Sequence, residues 1–184
     1  MAKKLIVVEN NQWSFADAGL LGGFIDYNDT STGTTPITLV ADTWTTIPND
    51  GLGAFSNDSY KPDGDVVALM DTSVGAIDPT GLNLGDTILI RNDFTVTPNT
   101  NNASLEFRYS LGAGAGSYTL QKRLGRLDEG SGLGYRFSLT PDLIYMGDLN
   151  TRDNPISLQV KLSSSGSLVN AGTVIQVVRY KEND

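Results

Sequence analysis

Side chains that could catalyse a reaction are few in this sequence, because it contains neither histidine nor cysteine. Their absence removes the usual general base near neutral pH, the Ser-His-Asp arrangement, cysteine nucleophiles and most transition-metal sites. Catalysis would therefore depend on carboxylates. Glu106, Asp128 and Glu129 are the only sets suited to glycoside hydrolysis, which needs two carboxyl groups about 5 to 10 Å apart. Nothing in the sequence brings them together, and we predict no catalytic residue.

Acidic residues also cluster in the segment 57–65, where Asp58, Asp63 and Asp65 could supply oxygen ligands for a calcium ion. The spacing lacks the later glutamate of an EF-hand, and acidic turns are common on protein surfaces. An acidic surface loop is therefore the favoured interpretation. We predict no metal ion and no cofactor.

Two glycine-rich segments, residues 112–116 and 130–134, superficially resemble phosphate-binding loops. Neither ends in Lys followed by Ser or Thr, and neither leads into a helical pattern, so both are predicted to be loops. A third segment places Arg152 between Asp148 and Asp153. Because charges in loops commonly pair with one another, this segment is interpreted as a salt-bridged connection rather than a ligand site.

The overall charge argues against another class of partner. The chain of 184 residues has a formal net charge of -8 and a pI near 4.4. Affinity for nucleic acid comes mainly from clustered Lys and Arg, so we predict no nucleic-acid partner.

The apolar run at residues 5–8 is too short for a signal sequence or a membrane span. We expect a soluble, unexported protein with no membrane partner, and the lack of cysteine fits assembly in the cytosol.

The segment 82–111 has the clearest periodicity of the chain. Apolar residues alternate with polar ones in both halves: Ile88, Ile90, Phe94 and Val96 in the first, and Leu105, Phe107, Tyr109 and Leu111 in the second. A polar stretch at residues 98–102 separates the halves. The pattern predicts two strands, each with one buried face, joined as a hairpin with a polar tip.

Short segments of the same kind follow one another from residue 36 onward, and about nine or ten strands can be counted. No helical pattern long enough for a crossover lies between them, so the sheets are predicted to be antiparallel. We therefore expect an all-β fold, a two-sheet antiparallel β-sandwich of the jelly-roll type. The continuous apolar run at residues 66–70 is expected to form a central strand buried on both faces.

The N-terminal third differs from the rest. Residues 1–27 are dense in apolar groups without a persistent period, and residues 28–35 form a polar run typical of a linker. We predict an extended arm at residues 1–27, a linker at residues 28–35 and the jelly-roll domain at residues 36–184. An arm of this composition must be buried on its own domain, as an extra strand or otherwise, on a sister subunit or on another protein.

Four segments resemble small virion proteins of tailed bacteriophages: residues 85–96 (GDTILIRNDFTV), 105–109 (LEFRY), 144–161 (IYMGDLNTRDNPISLQVK) and 174–180 (VIQVVRY). The resemblance covers residues 36–181 and consists of strands and loops rather than a catalytic signature. Proteins of this kind form trimeric jelly rolls similar to the tumour-necrosis-factor fold. They serve as capsid decoration (cement) proteins, head fibres or tail-fibre tips. The resemblance implies a non-enzymatic cement protein on the head surface of a virion, assembled in the host cytoplasm.

The resemblance also implies two sets of contact residues. The arm would dock on the major capsid protein or on a neighbouring trimer through Lys3, Lys4, Trp13 and Phe15. Four aromatic residues of a homotrimer would either face the three-fold axis or lie inside the sandwich: Phe107, Tyr109, Tyr145 and Tyr180.

Two other functions stay open. The same fold could form the receptor-binding tip of a tail or head fibre, which would bind host sugars through the polar loops at residues 57–65 and 99–102. A chain that begins at Met1 and has no repetitive shaft makes the tip the second choice. A carbohydrate-active enzyme would depend on the dispersed carboxylates alone.

Overall fold

The computed structural model describes residues 22–62 and 69–179 in full, together with the backbone of residues 4–9 and 12–17. The described residues form fourteen strands: β1 (Lys4–Glu9), β2 (Gln12–Asp17), β3 (Gly22–Asn28), β4 (Ile37–Leu39), β5 (Thr45–Thr46), β6 (Met70–Asp71), β7 (Ala76–Ile77), β8 (Thr87–Pro98), β9 (Ala103–Leu111), β10 (Tyr118–Leu127), β11 (Tyr135–Ser138), β12 (Asp142–Tyr145), β13 (Ile156–Leu162) and β14 (Gly166–Val178). Short helical segments connect some of them: α1 (Ser31–Thr34), a 3₁₀ helix (Gly114–Gly116) and α2 (Leu149–Arg152). Within these ranges, no helix has the length and apolar character needed to cross a membrane.

Two antiparallel sheets pack into a sandwich. The first sheet has the order β10-β9-β13-β7-β6, with β5 also paired to β13. The second sheet has the order β11-β8-β14-β3, with β12 also paired to β8 and β4 paired to β14. The chain crosses between the sheets from β8 to β9, from β10 to β11 and from β13 to β14, whereas β9 and β10 are neighbours in the first sheet. This is jelly-roll connectivity, and it confirms the predicted all-β antiparallel sandwich.

The core lies between the inner faces of the two sheets. All eight residues predicted to face inward from the segment 82–111 are at most 2% exposed. Alternate residues of β13 and β14 complete the core, including Leu158, Val160, Ile175 and Val177. Burying one such side chain fully contributes about 1.5–3 kcal/mol. The predicted alternation is therefore confirmed on both strands of that segment.

The predicted hairpin between those two strands is wrong. β8 pairs with β11, β12 and β14, whereas β9 pairs with β10 and β13. Residues 99–102 therefore carry the chain from one sheet to the other. An alternating pattern predicts which face of a strand is buried, but it does not identify the neighbouring strand. A hairpin and a crossing between sheets consequently leave the same pattern in the sequence.

The sandwich begins earlier than the predicted residue 36. β3 pairs with β14 from Gly22 opposite Val178 to Asn28 opposite Gly172, and Ile25 is fully buried. Residues 22–27, which the sequence placed in the arm, are therefore part of the second sheet. The predicted linker contains α1, where the Ser31 amide donates a hydrogen bond to Asp50 and the Thr32 amide donates one to Asp29, a residue of the linker itself.

The predicted central strand at residues 66–70 is also different in the structure. Residues 66–68 lie outside the described residues, and Met70 begins β6, a two-residue strand at the end of the first sheet rather than at its centre.

Strands β1 and β2 form a separate two-stranded antiparallel sheet, with Glu9 opposite Gln12. These strands occupy the predicted arm, which the sequence suggested would be extended and without a period.

Candidate assembly surfaces

The four aromatic residues predicted for a trimer axis fall into different environments. Phe107 and Tyr109 are 0% and 1% exposed and lie inside the sandwich, so they cannot face a partner. Their rings meet edge to face with centroids 4.9 Å apart. Tyr145 lies on the surface and is 61% exposed. Tyr180 lies outside the described residues. Of the four, Tyr145 is the one that the described structure leaves available for contact with another chain.

The predicted docking residues Lys4, Trp13 and Phe15 belong to the β1–β2 hairpin, whereas Lys3 lies outside the described residues. In the register, Ile6 is opposite Phe15 and Val8 is opposite Trp13. Directly opposed residues share a face of the sheet, and so do residues two apart on one strand. We call Ile6, Val8, Trp13 and Phe15 the hairpin face. Lys4 and Asp17 are also opposite each other in the register, at the end of the hairpin.

The outer face of the second sheet carries a group of exposed apolar side chains. Two adjacent rows of residues run across β3, β14, β8 and β12: Phe24, Gln176, Leu89 and Leu143 in one row, and Gly22, Val178, Thr87 and Tyr145 in the other. We call the apolar members the apolar band: Phe24, Leu89, Leu143, Tyr145 and Val178. Four of them are strongly exposed, at 43% for Phe24, 58% for Leu143, 61% for Tyr145 and 50% for Val178.

A loop extends the apolar band beyond the edge of β3. The ring of Tyr60 stacks on that of Phe24 with centroids 5.1 Å apart, and the amide of Phe24 donates a hydrogen bond of 2.9 Å to the Tyr60 carbonyl. Tyr60 is itself 57% exposed. The two aromatic rings therefore form one continuous surface that faces solvent in the isolated chain.

A row with charged residues lies next to the Phe24 row, toward the middle of the sheet. It consists of Asp26, Val174 and Arg91, which are opposite one another in the register. Arg91 forms an ion pair of 3.0 Å with Asp93. Burial raises the pKa of Asp26 above its ordinary value, and the nearby Arg91 opposes this rise. The apolar surface is thus confined to the end of the sheet where β12 and β14 end.

A chain of polar side chains runs from the core to the edge of the sandwich. Thr173 donates a hydrogen bond of 2.8 Å to Asn92, whose amide donates one of 3.2 Å to the Tyr109 hydroxyl. Burial, followed by the charge of Asp142, raises the pKa of Tyr109. Asp142 also forms an ion pair with Lys122. Each of these polar groups has a partner, so the chain is a means of satisfying a buried hydroxyl rather than a set of free catalytic groups.

That polar chain ends in an open cleft of about 420 Å³ between β10 and β12. Leu120 and Leu143 line its walls beside Lys122 and Asp142. The cleft adjoins the apolar band, because Leu143 belongs to both.

The outer face of the first sheet is polar, with one aromatic ring. The Arg108 guanidinium lies 4.1 Å and the Lys161 ammonium 5.0 Å from the centre of the Trp44 ring. Arg108 also donates a hydrogen bond of 2.7 Å to Gln159. Lys161 pairs with Glu106 at 3.2 Å. This surface is an interlocked layer of aromatic, cationic and amide groups.

Two of the three carboxylates considered for catalysis, those of Glu106 and Asp128, are paired with other side chains. Glu106 accepts a hydrogen bond of 2.6 Å from Gln121 in addition to its ion pair, and Asp128 pairs with Arg126 at 2.8 Å. Asp58 pairs with Lys61 at 3.2 Å, whereas Asp63 and Asp65 lie outside the described residues. Within the described ranges, no group of three or more potential metal ligands is present.

The Arg152 segment is an ordered connection. Arg152 pairs with Asp153 at 2.6 Å, and the Asp148 carboxylate accepts a hydrogen bond of 2.9 Å from the Thr151 amide at the start of α2. Hydrogen bonds from the Thr151 amide and the Thr151 hydroxyl lower the pKa of Asp148.

Most members of the apolar band were not found by sequence reasoning. Leu143 and Val178 were assigned to strands only, and Phe24 to the arm. The alternation along β14 and β12 already indicates which of their residues share a face. What it lacks is the register between strands, which brings distant residues such as Phe24 and Leu143 into one row.

No protein-family model and no curated protein matches this chain. Among solved structures, PRD1 vertex protein P5 is similar at 19% identity over 98% of this chain and 84% of that chain, with a TM-score of 0.42. A structure of infectious bursal disease virus Gt strain is similar at 10% identity over 97% of this chain and 38% of that chain, with a TM-score of 0.35. The T13 particle of the same virus gives 11% identity, 97% and 36% coverage and a TM-score of 0.37. TM-scores of this size carry no functional argument.

Proposed function

We propose that this chain is a structural protein of a virus particle, a bacteriophage decoration (cement) protein that binds and stabilises the head shell as a homotrimer. The observation that carries the proposal is the apolar band on the outside of a well-packed jelly roll. Tyr145, predicted as an interface residue, lies in this band, two residues from Leu143 on β12 and in the same row as Val178, with Thr87 between them.

The composition of the apolar band favours contact with protein. Monomeric proteins seldom expose contiguous apolar patches larger than a few hundred Å², and aromatic residues are enriched at the centres of interfaces. Closed cyclic symmetry allows each copy to cover the apolar surface of a neighbour. A trimer would therefore remove from water a surface that the isolated chain leaves exposed.

A trimer would bind the head shell more strongly than a single copy does. Three identical docking elements, one from each copy, act together once the first has bound, because tethering raises the effective concentration of the other two. Each contact with the major capsid protein can then be individually weak. Lys3 and Lys4 near the N-terminus would provide the positive charge of that contact in an otherwise acidic chain. No catalytic step belongs to this role.

The test uses head shells of the parent phage that were assembled without this protein. We expect the purified chain to have the mass of three copies in native mass spectrometry at micromolar concentration. It should also sediment with the shells in a saturable manner and raise the temperature at which they break open. A strictly monomeric mass, or no sedimentation with shells, would overturn the proposal.

A matched pair of variants tests the surface itself. Leu143→Ser combined with Tyr145→Ser should shift the trimer to monomer, whereas Leu52→Ser, at a position that is 76% exposed and outside the apolar band, should leave it unchanged.

A fibre tip that binds host sugars is the second candidate, favoured by the Trp44 layer on the opposite sheet. A ring flanked by guanidinium and amide groups offers both a stacking surface and hydrogen-bond donors. Binding of the chain to host cells, lost in Trp44→Ala and absent for head shells, would favour this function over the first.

A further inference from the structure

We infer that the hairpin face of one copy packs on the apolar band of a second copy. The inference rests on the proposed homotrimer and identifies what covers the exposed surface. Each copy would then donate a hairpin to one neighbour and receive a hairpin from the other.

The hairpin needs a surface to pack against. Ile6, Val8, Trp13 and Phe15 share one face of a two-stranded sheet, and neither β1 nor β2 pairs with any other described strand. Isolated two-stranded hairpins are at best marginally stable in water, and an apolar face must be packed against another layer to hold them. Two sheets that pack face to face do so at about 10 Å, with their side chains interdigitating.

The apolar band has the matching properties. It lies on the outer face of a sheet, and five of the eight residues in its two rows are apolar side chains, so a second sheet can pack on it. Its exposed members are 43–61% exposed in the isolated chain. The surface therefore remains available to a partner after the chain has folded. Its two rows cross four strands, which is wide enough to receive the two strands of a hairpin.

The connection between the two elements is short. Four residues separate Asp17 from Gly22, so the end of β2 lies within about 17 Å of the start of β3. Gly22 is itself in the Val178 row of the second sheet. The hairpin is thus attached through a short connection to a strand that begins in the Val178 row, and in a ring of copies it would cover the corresponding surface of the adjacent copy. In a head-to-tail arrangement of this kind, three donations close the ring.

The absence of cysteine makes a direct test possible, because two introduced thiols are then the only ones in the chain. The full-length double variant Phe15→Cys with Leu143→Cys is treated with a flexible bis-maleimide and analysed by denaturing electrophoresis. Its matched control is Phe15→Cys with Val74→Cys, since Val74 is 57% exposed and outside the apolar band. We expect covalent dimers and trimers from the first variant and monomers from the control.

The outcomes separate the two proposals. A fast-migrating monomer with an internal cross-link would mean that the hairpin covers its own chain, and would overturn the inference. A native trimer that yields no cross-link would overturn the inference and leave the homotrimer standing. A chain that is monomeric before any substitution would overturn the homotrimer, and the inference with it.

A second pair of variants protects the test against a failure of the double variant to assemble. Trp13→Ser should raise the concentration at which the trimer dissociates by at least tenfold. Ser14→Ala, on the other face of the hairpin according to the register, should leave that concentration unchanged. Equal dissociation concentrations for the two variants would contradict the inference.

Discussion

The rings of Phe94 and Phe107 stack across the sandwich with centroids 6.2 Å apart, one ring from each sheet. Phe137 lies 5.5 Å from Phe94 on one side, and Tyr109 meets Phe107 on the other. This row of four rings runs through the core from β11 to β9. The contact between Phe94 and Phe107 joins two strands that are consecutive in the sequence and unpaired in hydrogen bonding.

Replacing Phe107 with alanine should lower the free energy of unfolding by about 3–5 kcal/mol, because a fully buried ring leaves a cavity between two sheets. Urea denaturation of the purified chain would measure the change. Ser110→Ala, on the outward side of the same strand, should stay within about 0.5 kcal/mol of the original. A Phe107→Ala protein with normal stability and altered assembly would mean that the ring acts at an interface after all.

The hydroxyl of Tyr109 should stabilise the fold through its contacts with Asn92 and Asp142. We expect Tyr109→Phe to cost about 1–3 kcal/mol, since the change leaves buried polar partners without one hydrogen bond. Chemical denaturation would measure the cost, and a further Asn92→Leu substitution should recover part of it. Equal stabilities of Tyr109→Phe and the original chain would show that the polar chain is energetically neutral.

Because of the same hydroxyl, we expect the free energy of unfolding to depend on pH in the alkaline range. Burial, and then the charge of Asp142, raises the pKa of Tyr109 above its ordinary value of 10.0. The folded chain therefore holds this proton more tightly than the unfolded chain does. The resulting stabilisation is complete below the unfolded pKa and is lost as the pH rises above it. Unfolding free energies measured across this range should fall more steeply for the original chain than for Tyr109→Phe, and parallel curves would contradict the prediction.

Asp50 should keep the segment around α1 folded. Its carboxylate accepts hydrogen bonds from the amides of Thr30 and Ser31 at 3.0 and 2.9 Å. Burial acts to raise its pKa, but these bonds, with others from the Thr30 hydroxyl and Leu52, outweigh burial and lower it. The contribution is present above the ordinary value of 3.8 and is lost as the pH falls below it. Asp50→Ala should make residues 28–35 more sensitive to limited proteolysis at neutral pH, whereas Asp58→Ala should not.

Gly172 should be intolerant of any side chain. It lies at the bulge where the register between β14 and β8 shifts, with φ at 152°, and an added Cβ would approach the Tyr27 carbonyl to 2.7 Å. We expect Gly172→Ala to cost about 1–3 kcal/mol of backbone strain and to loosen the pairing of β3. Gly33→Ala, where a Cβ would meet nothing within 4 Å, is the matched control. Thermal unfolding would measure the stability of both variants. Equal unfolding midpoints for Gly172→Ala and Gly33→Ala would contradict the prediction.

Much of the fold could be read from local pattern. The alternation at Ile88, Ile90, Phe94 and Val96 identified a half-buried strand, and the spacing of such strands indicated an antiparallel jelly roll. These inferences succeed because the pleat of a strand forces a period of two, whatever the strand pairs with. The same reasoning assigned Phe107 and Tyr109 to a buried face and could not say whether a core or a neighbouring subunit buried them.

What the tertiary structure alone decided is which strands are neighbours and in what register. It separated β8 from β9, brought Gly22 and the rest of β3 into the second sheet, and aligned Phe24 with Leu143 although more than a hundred residues lie between them. Such alignments depend on hydrogen bonds and packing between segments far apart in the chain, which no local period encodes. The sequence by itself determined a sandwich, with one face buried on each of the long strands β8, β9, β13 and β14. The surface from which we propose assembly exists only once the strands are placed side by side.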